Sequence, residues 1–291
     1  MAAATTAFVT PRRRFRPGRT ARRILFYALV VLVCAVVMFP VYWTIVSAIQ
    51  PARFSMHYPP PFFPQAINFT PFQQLFRDYP VLTWVTNSTL ISLLSTVLCV
   101  GFGVFGAYAL SGLRWRGRNT FGLILFLTQM LPEALIIIPI FIILRQLQML
   151  ENLPAVSLVH TAFVLPISIW ILKGVFDAVP REIREAALVD GCDELSVLWR
   201  IVVPLSVPGL VAVGVVAFFY AWNEFLFTST MLTTDAVRPA AVGLASLRTQ
   251  METPVERILA AALLFSGPPV VFYLVMQRYI VSGLTAGAVK G

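Results

Sequence analysis

The chain has 291 residues, of which 58% are hydrophobic and only 12% charged, and its formal net charge is +9. Soluble domains carry about a quarter charged residues, so this composition excludes a water-soluble core. The excess of positive charge does not point to nucleic acid, because Arg12, Arg13, Arg14, Arg16, Arg19, Arg22 and Arg23 crowd just ahead of the first apolar run, where topogenic charge belongs.

Residues 1–23 read as a basic cytoplasmic tail. The first apolar run, 24–49, exceeds the roughly 7–15 residues of a cleaved signal's apolar region and is long enough to span a bilayer with some tilt. Segment 50–82 carries Pro51, Pro59, Pro60, Pro61, Pro64, Pro71 and Pro80, which rules out one continuous helix. It predicts an external loop with a short helix around 72–76. The second span, 83–111, places Gly101, Gly103 and Gly106 on related faces, where small residues let helices approach closely in lipid. A short basic loop, Arg114 to Arg118, precedes a third span at 120–144 that Pro132 and Pro139 interrupt.

The fourth span covers 155–176 and the fifth 204–232, entered through Pro204 and Pro208. A polar loop at 233–256, a sixth span at 257–281 and a tail at 282–291 follow. The fold class is all-α, a polytopic membrane protein with six transmembrane helices over 24–281 and both termini on one side. Sixteen of the 22 Lys and Arg residues fall on that side, which makes it the cytoplasm. No internal repeat is visible, so an inverted-repeat carrier gains no support.

One charge-dense island, 180–203, interrupts the greasy second half. Glu182, Glu185, Asp190, Asp193 and Glu194 alternate there with Arg181 and Arg184. Pro180 suits a helix start and the early acids suit its dipole. Gly191 allows the left-handed turn that ends a helix, and Asp193 can cap a second one running through Leu198 and Ile201 toward Pro204. Ile183, Ala186 and Ala187 share one side of the first helix, a shallow surface against which another protein can lie. An amphipathic helix resting on lipid headgroups is the alternative, and the excess of acids weighs against it at an anionic leaflet.

Enzymatic signatures are lacking. No GxxxxGK[ST] loop, HExxH or GxSxG occurs, and the only lysines are Lys173 and Lys290. Cys34, Cys99 and Cys192 form no metal-ligand or disulfide spacing. His57 and His160 read as isolated residues with ordinary loop or helix-end roles. The chain therefore offers no catalytic residue, cofactor site or metal site, and an intramembrane enzyme would lack its nucleophile.

The island residues Glu185-Ala186-Ala187, then Asp190-Gly191, then Ile201, Pro204 and Pro208 resemble the Glu-Ala-Ala loop of membrane subunits of ATP-binding-cassette importers. Asn87-Ser88, the run Ala221 to Phe225 and the ending Gly283 to Gly291 resemble the carbohydrate-uptake branch of that family, in particular the maltose-type second permease subunit. The likeness covers 25–291 and departs at Cys192, where the family usually has Ala, and at Leu198, where Phe is typical.

The resemblance implies a cytoplasmic coupling helix in which Glu185, Ala186, Ala187, Asp190 and Gly191 dock on an ATPase subunit. It implies as partners a second homologous permease, two ATPase subunits that hold ATP and Mg, and an extracytoplasmic solute-binding protein. It places the chain in a bacterial or archaeal cytoplasmic membrane, carrying a sugar or related polyol. Within the spans, an ionised group costs about 2.5–3.5 kcal/mol to insert. Gln129, Glu133, Asn223 and Glu224 therefore either line a hydrophilic path or bond to neighbouring helices. An ion-coupled carrier or channel with Glu133 and Glu224 as proton sites is the competing reading.

Overall fold

The computed structural model describes residues 17–51, 58–59, 61–249 and 254–288. Arg12 to Arg16 of the basic tail, Arg53, His57 and the last three residues lie outside them. The described residues are helical and loop, and four helices are long and apolar enough to cross a membrane, or six spans if each of two bent helix pairs counts as one.

The first helix, α1 (Pro17–Ile49), begins earlier than the apolar run because Arg22 and Arg23 continue it as good helix formers. Its most apolar stretch is fully exposed, and only its last turn, with Val46 and Ala48, is buried. The proline-rich segment yields α2 (Thr70–Asp78), which has Pro71 in its first turn. Asp78 pairs with Arg77 at 2.8 Å and lies 3.7 Å from Arg257, and Arg257 also donates to Gln74 at 2.7 Å.

The core is a trio formed by α3 (Val81–Ser111), α6 (Leu153–Asp177) and α9 (Val207–Asn223). Along α3 the buried positions Trp84, Ser88, Ile91, Ser95, Cys99, Gly103 and Ala107 recur every three or four residues, one helix face. Small residues on that face meet Ser157, Thr161 and Ser168 of α6. Ser95 donates to the Ser157 carbonyl at 3.1 Å, and the Cys99 and Ser168 side chains approach to 3.0 Å. Packing and such polar contacts hold helices together in lipid, where no hydrophobic drive between them remains. At Gly106 a Cβ would lie 2.6 Å from Ile169 Cδ1, so that glycine sets the approach, whereas Gly101 faces open space.

The interruption expected at Pro132 is present, while Pro139 leaves its helix unbroken: the third span is two helices, α4 (Arg118–Thr128) and α5 (Glu133–Gln146), bent by 96°. At about 1.5 Å per residue they are about 16 and 21 Å long, each short of the roughly 30 Å hydrocarbon core. Pro132 is the cause, since it lacks the N–H and forces Leu131 away from helical backbone. The fifth span does not run on to 232. It starts in α8 (Glu194–Leu205), bends by 80° into α9, and stops at Asn223 before the short α10 (Leu226–Met231). The polar loop after it contains α11 (Ala240–Thr249). Ser88 accepts the task of capping that helix, taking the Ala240 N–H at 2.7 Å, while Asn87 donates to the carbonyls of Ala236 and Arg238, both at 3.1 Å. The last helix, α12 (Val255–Ala288), passes the expected end at 281.

A candidate docking helix and a buried carboxylate–histidine pair

Helix α7 (Arg181–Val189) follows Pro180 and carries Glu182 in its first turn. Ala187 alone among its residues is buried, seated on the cluster that includes Tyr108, Leu172, Phe176 and Leu198. Ile183 is 45% exposed and Val189 87%, and Glu185, Ala186 and Asp190 are exposed as well. The helix thus grips the membrane domain through one small residue and presents apolar and acidic groups outward. No cation among the described residues lies within ion-pair distance of Glu185 or Asp190.

Its end is a two-bond left-handed cap. Gly191 takes φ +88°, its N–H bonds the Leu188 carbonyl at 3.1 Å, and the Cys192 N–H bonds the Ala187 carbonyl at 3.0 Å. The chain then restarts at once, because Asp193 accepts the Ser196 N–H at 3.0 Å. Hydrogen bonding to Ser196 holds the Asp193 carboxyl below its usual range. Residues Leu198–Val202 form a π-helical turn inside α8. Cys192 and Leu198, the two departures from the family pattern, pack in the same cluster, so a larger residue than Ala and a smaller one than Phe fill neighbouring space.

One contact ties this hairpin to the spans and a second ties two spans together beside it. The Tyr108 hydroxyl, one turn from the end of α3, donates to Glu194 Oε2 at 2.5 Å. Asp177, the last residue of α6, accepts from Ser111 and from Lys173, each at 2.6 Å. Sequence reasoning missed both links, although a tyrosine and an acid bordering long apolar runs are a usable signal.

Inside the membrane domain Glu224 is buried and bonded at every turn. His160 Nε2 lies 3.0 Å from its Oε2, and the N–H groups of Phe227 and Thr228 donate to it at 2.8 and 3.1 Å. The carboxylate therefore breaks α9 and caps α10, which is why the fifth span ends early. His160 is neither isolated nor at a helix end, which corrects the reading of it as both. It is fully buried on the polar stripe Ser157, Thr161, Ser168 of α6, and that stripe was the signal for it. Glu133 accepts from Tyr220 at 2.6 Å, and the Tyr220 ring meets the His160 ring edge-on at 6.1 Å between centroids. The two carboxylates from different spans thus converge on one aromatic pair. Gln129 is exposed and donates to the Phe163 carbonyl at 3.1 Å. Asn223, also exposed, donates to its own helix at Phe219, 2.8 Å, and borders a cavity of about 520 Å³ with Phe219, Trp222, Phe225 and Phe265.

With this geometry in place, comparison with known proteins is informative. Residues 99–285 match the family described as binding-protein-dependent transport system inner membrane component. The chain belongs to that family. This makes the protein a multi-pass membrane permease, a transport component rather than an enzyme. Among its relatives, the inner membrane ABC transporter permease protein YcjP of Escherichia coli (strain K12) is 34% identical, with 94% of this chain and 98% of that protein covered. The trehalose transport system permease protein SugB of Mycobacterium tuberculosis (strain CDC 1551 / Oshkosh) is 32% identical over 93% of this permease and 99% of the relative. A crystal structure of a bacterial ABC transporter involved in the import of the acidic polysaccharide alginate shares the fold, with TM-score 0.74, 23% identity, and 93% and 99% of the two chains covered. The permease therefore has the all-α importer fold that its sequence implied.

Proposed function

We propose that this permease forms, together with a second permease, the translocation path for a sugar or related polyol, and that α7 docks in a cleft of a cytoplasmic ATPase subunit. The observation that carries the reading is the outward face of α7: exposed Ile183, Ala186 and Val189 beside unpaired Glu185 and Asp190, on a helix rigidly capped at Gly191. A merely solvated helix has no use for exposed apolar side chains there, and unpaired acids suit basic groups on a partner. Relatives named for the transport of trehalose and for diacetylchitobiose uptake support the solute class.

In this reading two ATPase subunits hold the ATP and Mg, and an external binding protein delivers the solute. Both termini then face the cytoplasm, as does the 114–118 loop. Closure of the ATPases moves the hairpin 181–205, and the Tyr108–Glu194 link carries that motion into α3, which the Ser111–Asp177 bond joins to α6, as rigid-body rocking. Glu133 and Glu224, each already bonded to a neighbouring helix, stiffen the moving bundle, while exposed Asn223, beside the cavity it borders with Phe219 and Trp222, is the better placed to meet solute.

The test is uptake into liposomes containing the purified complex. Uptake should require internal ATP and the ATPase subunits and should survive a proton ionophore. Solute movement by this chain without any ATPase, or uptake abolished by the ionophore and indifferent to ATP, overturns the reading in favour of an ion-coupled carrier.

A further inference from the structure

At the cytoplasmic end of the bundle a cavity of about 1110 Å³ opens between the 112–120 loop and α7. Four arginines line it: Arg114, Arg118, Arg181 and Arg184, against two acids, Glu185 and Glu194. None of the four has a carboxylate within ion-pair distance among the described residues. Arg118 spends one donor on the Leu113 carbonyl at 3.3 Å, and Glu194 is engaged by Tyr108. The cavity therefore carries a net positive charge with guanidinium donors free, which suits a phosphate.

A second hollow, about 690 Å³, begins where the first ends. Asn119 lines both. This groove runs along α4 past Leu123 and Phe126 to Gln129, with Ile167 and Trp170 of α6 as its other wall, and its lining is almost wholly apolar. Gly122 forms part of the reason for the groove's shape: a Cβ there would lie 3.4 Å from Trp170, so α4 sits close on the indole. From Asn119 to Gln129 the helix advances about 15 Å, half the roughly 30 Å hydrocarbon thickness. A charged chamber at the surface beside an apolar groove about half the hydrocarbon core in length has the polarity of a phospholipid.

We propose that these two hollows are one site for an anionic phospholipid of the cytoplasmic leaflet, with its phosphate among Arg114, Arg118 and Arg184 and an acyl chain along Leu123, Phe126 and Trp170. A soluble phosphate would use the chamber and leave the groove empty, and an acidic protein segment would leave it empty too. The adjacency of chamber and groove at Asn119, which lines both, is what favours the lipid. The proposal takes the membrane orientation from the functional reading above but not the docking role of α7, so either can fail without the other. A lipid wedged between α4, α6 and α7 would also make the position of the docking hairpin depend on bilayer composition.

The experiment uses the full chain purified with its native partner subunits in phosphatidylcholine nanodiscs. These contain a small fraction of phosphatidylglycerol bearing a photoactivatable acyl chain, and labelled peptides are mapped. Phosphatidylglycerol should label 119–129 well above its share of the bilayer, while equally tagged phosphatidylcholine should not. Labelling should fall about thirtyfold in the Arg114→Gln/Arg118→Gln variant, two basic residues' worth of headgroup attraction. Leu123→Trp, which fills the groove without touching a charge, should lower it as well, and millimolar inorganic phosphate should leave it intact. Equal labelling by the two lipids in the wild-type complex overturns the proposal without reliance on any variant. Displacement by inorganic phosphate would assign a simple anion site, and labelling that appears only after the partner subunits are stripped away would assign the surface to them; either result also overturns it.

Discussion

Replacing Gly191 with Val tests the α7–α8 hairpin, and the docking role proposed for it, at its left-handed turn. Gly191 sits at φ +88°, where an L residue costs about 1–2 kcal/mol and a β-branched one is an outlier. A Cβ at this position meets nothing within 4 Å, so the strain is purely one of backbone. The chain can relieve it only by leaving the left-handed region, which breaks the bonds from Gly191 to Leu188 and from Cys192 to Ala187, each worth about 0.5–1.5 kcal/mol. Either route costs about 1–3 kcal/mol, which depletes the capped hairpin by about 5- to 150-fold. Gly191 itself is exposed and a Cβ there displaces no neighbour, so membrane insertion and the yield of folded chain should be unchanged. In proteoliposomes Gly191→Val should lose most uptake and solute-stimulated ATP hydrolysis, Gly191→Ala less, and Gly191→Asn least, because Asn tolerates left-handed backbone. Wild-type uptake by the Val variant, or equal loss in the Val and Asn variants, would refute the argument from the turn.

Other perturbations probe other links. Tyr108→Phe removes the hydroxyl that holds Glu194 and should cost about 1.5–3 kcal/mol at that contact; the readout is solute moved per ATP hydrolysed, which should fall while ATP hydrolysis continues. His160→Ala leaves Glu224 buried and unpaired and should destabilise the fold by about 3–5 kcal/mol, measured as thermal unfolding in detergent, with partial recovery when Glu224→Gln is added. Glu151, in the loop before α6, is partly buried, which on its own would raise its pKa, but hydrogen bonds from Thr233 and Thr234 outweigh this and hold the pKa below the ordinary value of 4.5. A depressed carboxyl pKa stabilises the fold above the unfolded value and loses that contribution as pH falls through the folded one. Thermal stability should therefore drop below about pH 4.5, and Glu151→Gln should be less stable at neutral pH with a flatter acid limb; an unchanged acid limb would exclude this link.

The parts legible in the chain were those that one segment decides alone. Each membrane helix meets lipid as its own solvent, so apolar length locates it before any partner is known. Turn chemistry is equally local, and Pro180, Gly191 and Asp193 delimit α7 through their own backbones and the next few N–H groups. The break at Pro132 belongs to the same class, although its 96° angle does not.

What only the tertiary structure decided is who meets whom. Glu224 and His160 are separated by 64 residues and Tyr108 and Glu194 by 86, and no spacing rule joins them. A carboxylate among apolar residues announces that it needs a partner, because leaving it alone in a low-dielectric interior is too costly. It does not say which partner. That choice is made by the close approach of α3, α6 and α9 over small side chains, which brings His160 to Glu224, ends the fifth span at Asn223 and leaves the face of α7 turned outward.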